Sequence, residues 1–190
     1  AAAMLQSSIR QLYEKYGERL NINLMSVYPQ EDKKQIPWDF IKIVSCKPEQ
    51  LLFIAFPLAV LYKFFHFCPP IKRLLLKNKI LKAYYNTDVV LDEAGISFVD
   101  SRGFIMNTYA FVCAAVPMLM GVPVMKYSQA MGTFHSFWNR FLAKWILPKM
   151  QLICARGKGT LENLKEIGVE KNVKLCADGA FTMADDPKVL

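Results

Sequence analysis

Apolar residues recur with a helical period at the start of the chain, over residues 2–16, and Gly17 is a natural place for that helix to stop. Residues 20–27 then alternate partly between apolar and polar positions, and residues 40–44 are again apolar. We expect a short strand at each. Residues 31–34, which are polar and follow a proline, are predicted to form a loop.

The most apolar stretch is residues 51–67, LLFIAFPLAVLYKFFHF. Pro57, Lys63 and His66 interrupt it, and the run before Lys63 is shorter than the roughly 20 residues that a spanning helix needs. A full membrane span is therefore the weaker interpretation. A core helix and a helix lying in the membrane interface both fit the pattern.

A basic segment follows directly, and we expect it to be one helix from the proline pair at 69–70 to about Tyr84. Its cations are Lys72, Arg73, Lys77, Lys79 and Lys82. With a net charge of +8, the chain should attract anions. Because no aromatic stacking platform is interleaved with these cations, we expect an anionic membrane surface rather than nucleic acid as the partner. The solvated face of an ordinary helix is the other interpretation.

A short apolar run followed by a loop of glycine and polar residues then occurs four times. The four runs are residues 88–91, 122–127, 152–155 and 173–176. Helical patterns fill the gaps at about 104–120, 136–149 and 160–167. Strands alternating with helices predict an α/β fold, a Rossmann-like doubly wound parallel sheet covered on both faces. The apolar and basic residues at about 48–84 would be a helical insertion in this single domain of residues 1–190.

In such a sheet, ligands bind outside the carboxyl ends of the strands, where these loops must meet. Gln129 and Gly132, in SQAMGTF, would line a cleft there, unless they serve only to make a turn. In RGKGT, Arg156 can clamp a phosphate or carboxylate and Thr160 can cap the next helix. A capped helix with a surface arginine is equally compatible with RGKGT.

Acidic residues and a histidine also belong to these loops. Asp92, Glu93 and Asp100 flank Gly95, and a carboxylate from this group could act as a base near a sugar hydroxyl. His135 could titrate near neutral pH at the mouth of the cleft. Asp178 can contact a ligand hydroxyl, although a structural role is the commoner use of such an aspartate.

The cysteines do not form a metal-binding or disulfide pattern. There are five of them, widely spaced and without a CxxC pair, which favours buried thiols in a reducing compartment. The composition of 53% hydrophobic residues excludes a disordered chain. We expect no metal and no cofactor.

Four segments carry a resemblance in their order and spacing: TDVVLDEAGISFVD, VPVMKYSQAMGTF, ICARGKGTLENLKEIGV and LCADGAF. Together they resemble the amino-terminal half of the polysaccharide pyruvyl transferase family, and the first helix is similar too. This family resemblance implies one half of a GT-B-type two-domain transferase. It also implies transfer of a pyruvyl group from phosphoenolpyruvate to a sugar hydroxyl of a cell-surface polysaccharide or its lipid-linked precursor.

The resemblance further implies roles for individual residues. Arg156 would hold the anionic groups of the donor, and Gln129 and Gly132 would shape the cleft. Asp178 would brace the loop that leads into the family's second domain. The family's glycine pair is Ala94-Gly95 here, and its Gly-Pro-Phe is Gly-Thr-Phe at 132–134. This activity suggests that the protein is cytoplasmic and lies peripherally at the inner face of the membrane.

By comparison with the family pattern, the chain is expected to be a fragment with both ends missing and without the second domain. Two other functions fit the same architecture. One is a nucleotide-sugar glycosyltransferase, and the other is a non-catalytic domain that binds a membrane surface or a partner.

Overall fold

The computed structural model describes residues 2–36 and 38–179. It confirms a mixed α/β protein with parallel sheets and helices. The first sheet is a parallel pair, β1 (Ile22–Ser26) and β2 (Ile41–Ser45), with Ile22 opposite Ile41. The second has four parallel strands in the order β3-β4-β5-β6. These strands are Val90–Asp92, Val124–Gln129, Leu152–Arg156 and Val173–Cys176. All six predicted strands are thus present.

Helices connect the strands of the larger sheet: α7 (Gly103–Leu119), α8 (Phe137–Ile146) and α9 (Lys158–Glu166). Because the four strands follow one another in one direction, right-handed connections place these three helices on the same face. The core lies between that face and the helices, around Val124 and Ile153. The spatial order of these four strands follows their order along the chain without a reversal. This strand order supports a parallel α/β fold and does not support the finer prediction of a doubly wound sheet.

The opposite face of the sheet is approached by α1 (Ala2–Tyr16), the helix that was predicted for residues 2–16. A methyl group placed on Gly179 would lie 3.0 Å from Tyr127 Cε1 and 3.3 Å from Met4 Cγ of α1. Tyr127 therefore points away from the α7–α9 side, where its strand neighbour Lys126 is fully buried. Both faces of the sheet are covered, at least in this region.

The predicted loop at residues 31–34 is wrong, because α2 (Pro29–Gln35) occupies it. Its sequence has the charge order of a helix, with proline at the start, Glu31 and Asp32 in the first turn and lysines in the last. The Ser26 hydroxyl, which bonds to the Asp32 carboxylate, also accepts the Tyr28 amide at 3.0 Å. A short polar helix has no apolar period to reveal it.

The apolar stretch forms a continuous helical segment, Pro48–Phe65. It comprises α3 (Pro48–Gln50), a π-helical turn (Leu51–Ala55) and α4 (Phe56–Phe65). The predicted single basic helix is instead two, α5 (Pro69–Leu75) and α6 (Lys79–Tyr85). Asn78 causes the break, since its side chain accepts the Ile80 and Leu81 amides at 3.0 and 3.1 Å and caps α6.

Among the described residues, two helices are long and apolar enough to cross a membrane, Pro48–Phe65 and Asp100–Leu119, with mean hydropathies of 1.3 and 1.2. Each also has a stripe in the protein core, for example Ala59 and Ala115, which are 0% and 3% exposed. The second includes α7, which joins two adjacent strands of the sheet. Length and composition alone are therefore weak grounds for a span.

Candidate functional site

The loops that follow the four strands of the larger sheet meet at one edge, as expected for parallel strands. Hydrogen bonds join each loop to the next: Ala130 N to Gly95 O (2.9 Å), Met131 N to Thr160 Oγ1 (3.4 Å), and Gly157 N to Cys176 O (3.3 Å). Six of the residues proposed from sequence lie on this edge in three separate networks of contacts.

The first network surrounds the Asp92 carboxylate at the end of β3. Lys126 Nζ donates to Asp92 Oδ2 at 2.6 Å, and the lysine side chain is 0% exposed. Gln129 Nε2 donates to Asp92 Oδ1 at 2.8 Å and to the Asp92 carbonyl at 2.6 Å, while Gln129 Oε1 accepts from Ser97 Oγ at 2.6 Å. Gln129 is fully buried. Its amide therefore holds the first and second loops together.

Two opposing effects set the pKa of Asp92. Burial acts to raise it, but the Lys126 ammonium, with hydrogen bonds from Ala94 and Gln129, brings the pKa below its ordinary value. The carboxylate is consequently ionised at neutral pH and stabilised in that form. The role of Asp92 as a catalytic base stays a prediction, and its geometry is that of a counter-ion to Lys126.

The second network is built on Asp100. Its Oδ2 accepts from Thr133 Oγ1 at 3.1 Å and from the His135 amide at 2.7 Å, and its Oδ1 accepts from Asn139 Nδ2 at 2.8 Å. Burial acts to raise the pKa of Asp100, and these donors lower it below the ordinary value. The His135 side chain is exposed. Asp100 thus fixes the loop that presents His135.

The third network is the ion pair of Arg156 and Asp178. Arg156 Nη1 lies 2.9 Å from Asp178 Oδ2, and the two side chains are 28% and 32% exposed. The pair is therefore within reach of a ligand at the sheet edge. Phe181, which belongs to the motif that resembles the family, lies outside the described residues.

Thr160 does not cap α9 as predicted. Gly157 holds the N-cap position with a φ of 82°, and it supplies no side chain to bond the first amides of the helix. The Thr160 hydroxyl donates back to the Arg156 carbonyl at 2.9 Å. The start of α9 is consequently left without a side-chain cap, a setting that favours an anion.

Gly132 is required by the close approach of α9. Its φ is +96°, and a Cβ there would lie 2.2 Å from Asn163 Nδ2, which donates to the Met131 carbonyl at 3.0 Å. No larger residue fits without displacing that side chain. Gly95 also has a positive φ, +73°, but faces open space.

Backbone strain concentrates at the same edge. Phe98 and Ser128 have φ values of 52° and 49°, a region that residues other than glycine rarely adopt, and both are buried. Ser128 Oγ is also a junction, because it donates to the Ala177 carbonyl at 3.1 Å and accepts the Gly179 amide at 2.8 Å. Strained residues held by their surroundings cluster at functional sites.

Sequence reasoning did not single out Lys126 or Asn139. A lysine within the apolar run VPVMKY, on the same strand face as Val124, was a usable signal, since a buried lysine needs a partner. Asn139 gave no such signal, yet its Nδ2 is within 3.2 Å of three acceptors, on Phe98, Asp100 and Thr133. No group of three or more His, Cys, Asp or Glu in the described ranges could hold a metal ion.

Glu93, which follows Asp92 directly, lies toward α1. Burial raises the pKa of its carboxyl, the nearby Ser8 hydroxyl offsets part of this, and the Asp92 charge adds to it. Within the described part of the chain, the buried atoms Glu93 Oε2 and Ser8 Oγ complete no hydrogen bond. A carboxyl with a raised pKa in a loop at this edge is suited to proton transfer.

A parallel α/β sheet with cationic and acidic side chains at its carboxyl edge is typical of proteins that bind small anionic ligands there. The family model described as polysaccharide pyruvyl transferase matches residues 1–190, so the chain belongs to that family. The resemblance deduced from the sequence is thereby confirmed. No curated protein and no solved structure gave a significant match to the chain.

Proposed function

We propose that this protein takes part in transferring a pyruvyl group from phosphoenolpyruvate to a sugar hydroxyl, as one half of a GT-B-type enzyme. Family membership implies a pyruvyl donor and a sugar or polysaccharide acceptor. The observation that carries the donor assignment is the partly exposed Arg156 beside the uncapped start of α9. Phosphoenolpyruvate has a carboxylate and a phosphate, both of which match a guanidinium.

Formation of a pyruvate ketal sets the chemical demands. Two sugar oxygens bond to C2 of the donor, C3 gains a proton to become a methyl group, and the phosphate leaves with its bond to C2 broken. The site must therefore deprotonate hydroxyls, supply a proton to carbon and stabilise the departing phosphate. Arg156, with the amides at the start of α9, would serve the phosphate.

Acid and base roles would fall to residues of the first and second loops. His135 is the candidate whose side chain is exposed at the edge, and Asp100 holds its backbone in place. Gln129, Gly132 and Gly95 would shape the cleft through the loops that they join. Asp178 would orient Arg156.

The acceptor would be a sugar or a lipid-linked glycan, and the protein would act in the cytoplasm. Support for that compartment comes from the five cysteines, all of which are free thiols. Burial raises the pKa of Cys46 to about 11 and that of Cys113 to about 12, so these two thiols are poorly ionised.

Calorimetric titration of phosphoenolpyruvate into the full protein tests the proposal. We expect saturable binding that weakens at least about tenfold in Arg156→Ala, because a hydrogen bond to a charged group contributes about 1.5–3 kcal/mol. Arg156→Lys should retain only part of the affinity that Arg156→Ala loses, since an ammonium cannot form the bidentate contact. Arg19→Ala, in the exposed turn between α1 and β1, is the matched control.

Absence of binding by the folded protein would contradict the donor assignment. Competition by a nucleotide sugar would instead favour a glycosyltransferase of the same architecture, because a pyruvyl transferase has no need of that ligand.

A further inference from the structure

The helical segment Pro48–Phe65 is apolar on both of its faces. Its inner stripe lies in the core, where Leu51, Ala55 and Ala59 are at most 1% exposed. Its outer side carries large apolar side chains, which are Phe53, Ile54, Leu61, Phe64 and Phe65, between 41% and 77% exposed. Phe67 and Leu74, just beyond, are 74% and 62% exposed. Such an outer side calls for an apolar partner.

Beside it lies a cavity of about 600 Å³ between α5 and α6, which we name the basic cavity. Its cations are Arg73, Lys77, Lys79 and Lys82, and Leu76, Tyr85 and Asn86 complete the lining. All four cations are exposed, and in the described structure none forms an ion pair. The lining residues belong to the α5–α6 region that precedes β3 along the chain.

Side-chain contacts connect the apolar side with the basic cavity. Lys72 Nζ lies 4.5 Å from the centroid of the Tyr85 ring, which lines the cavity. The Tyr62 ring stacks on His66 at 5.8 Å, and the His66 ring meets Phe67 edge to face at 6.2 Å. The Tyr85 side chain, and less strongly Tyr62, raises the pKa of Lys72 above its ordinary value.

Charge decides which partner fits this surface. Residues 51–87 contain six lysines and arginines and no aspartate or glutamate. An apolar helix side followed along the chain by a run of cations complements an anionic lipid bilayer, in which the apolar side chains enter the acyl boundary and the cations meet phosphates. A protein partner would need an apolar surface bordered by carboxylates to match the same charges.

We infer that residues 53–82 dock this protein onto an anionic membrane surface, with the basic cavity taking a lipid phosphate. The segment does not span the bilayer, because its inner stripe is committed to the protein core. The binding depends on neither Arg156 nor the pyruvyl donor, so it can be tested separately from the proposed function.

Flotation of the full protein with vesicles provides the test. Vesicles of phosphatidylcholine alone are compared with vesicles that also contain phosphatidylglycerol, at low and high salt. We expect binding only to the anionic vesicles and a marked loss at high salt. The triple variant Lys77→Gln, Lys79→Gln and Lys82→Gln should bind about 100-fold more weakly, since each cation near an anionic surface contributes about fivefold.

Matched controls separate this surface from net charge and from general hydrophobicity. Lys33→Gln with Lys34→Gln removes two exposed cations of α2. The vesicle affinity of this variant should fall only as far as its lower net charge predicts, to within about twofold. Phe64→Ser with Phe67→Ser should weaken binding, whereas Tyr28→Ser, at a site 68% exposed immediately before α2, should not.

Any of four results would overturn the inference. One is absence of vesicle binding by the folded protein, and another is binding that the triple variant retains. The third is binding of inorganic phosphate in the basic cavity without any binding to vesicles, which would make the cavity a site for a soluble anion. A dimer that is lost with Phe64→Ser and Phe67→Ser, without vesicle binding, would assign the apolar side to a second copy.

Discussion

Asp92 and Lys126 are register partners on neighbouring parallel strands, and their side chains meet at 2.6 Å where the lysine is 0% exposed. The Lys126 ammonium also lies 5.2 Å from the centroid of the Phe98 ring, at one of the strained positions of the edge. Through Gln129, which bonds to Asp92 and Ser97, the pair reaches both loops that shape the candidate site. A buried ion pair thus sets the position of the site.

Replacing Lys126 with Met should lower the free energy of unfolding by about 3–5 kcal/mol, because the Asp92 carboxylate would remain buried without its partner. Urea denaturation followed by circular dichroism measures the change. The control is Arg10→Met, which breaks an ion pair whose side chains are 59% and 64% exposed and should cost less than about 1 kcal/mol. If the two losses were equal, Lys126 would not have the structural role assigned here.

The lowered pKa of Asp92 makes a prediction about pH. A carboxyl with a lower pKa in the folded state contributes stability above its unfolded value of about 3.9, and this is lost as pH falls through the folded pKa. Asp92→Asn should therefore be less stable than the parent at pH 6, and the difference should shrink below about pH 4. Denaturation at several pH values, with the exposed Asp39→Asn as the control, checks this. A difference independent of pH would contradict the assigned ionisation.

Gly132 and Gly159 allow a matched comparison. Gly132→Ala should destabilise the protein by about 1–3 kcal/mol, because of its positive φ and the collision with Asn163. Gly159, within α9, has open space around it, and Gly159→Ala should be neutral or stabilising by up to about 1 kcal/mol.

Adding Asn163→Ala tests the origin of the Gly132 effect. The collisions with Asn163 Nδ2 and Cγ are then removed, while the one with Asn163 Cβ at 2.6 Å and the φ strain stay, so Asn163→Ala should cost less in combination with Gly132→Ala than alone. Simple additivity of the two costs, measured by thermal or urea unfolding, would show that the collision does not matter.

The strands and their order along the chain could be predicted because each is an apolar run closed by glycine and polar residues. The long helices had a clear apolar period, whereas α2 had none and was missed. The pairing of Asp92 with Lys126 could not be predicted, since the two residues are 34 positions apart and meet only through the register of β3 with β4. The strain at Phe98 and Ser128 likewise depends on how neighbouring loops bond, which spacing along the sequence does not reveal.

Glu93 lies beside that pair with its pKa raised, chiefly by burial. The pKa of this carboxyl is higher in the folded state than its unfolded value of about 4.3, so folding favours the protonated form. Stability is therefore lost as the pH rises from the unfolded pKa through the folded pKa and the carboxyl ionises. Glu93→Gln should accordingly match the parent near pH 4 and exceed its stability at pH 7.5. Denaturation at the two pH values measures this, and Glu14→Gln on the exposed side of α1 is the control.

Activity adds a second readout for Glu93. If this carboxyl exchanges protons with the ligand, Glu93→Gln should lower turnover and change its pH profile while phosphoenolpyruvate affinity stays within about threefold of the parent. More stability with less activity is the pattern of a residue kept for function at a cost to folding. An unchanged pH profile of turnover would restrict Glu93 to a structural role and leave proton transfer to His135 or Asp100.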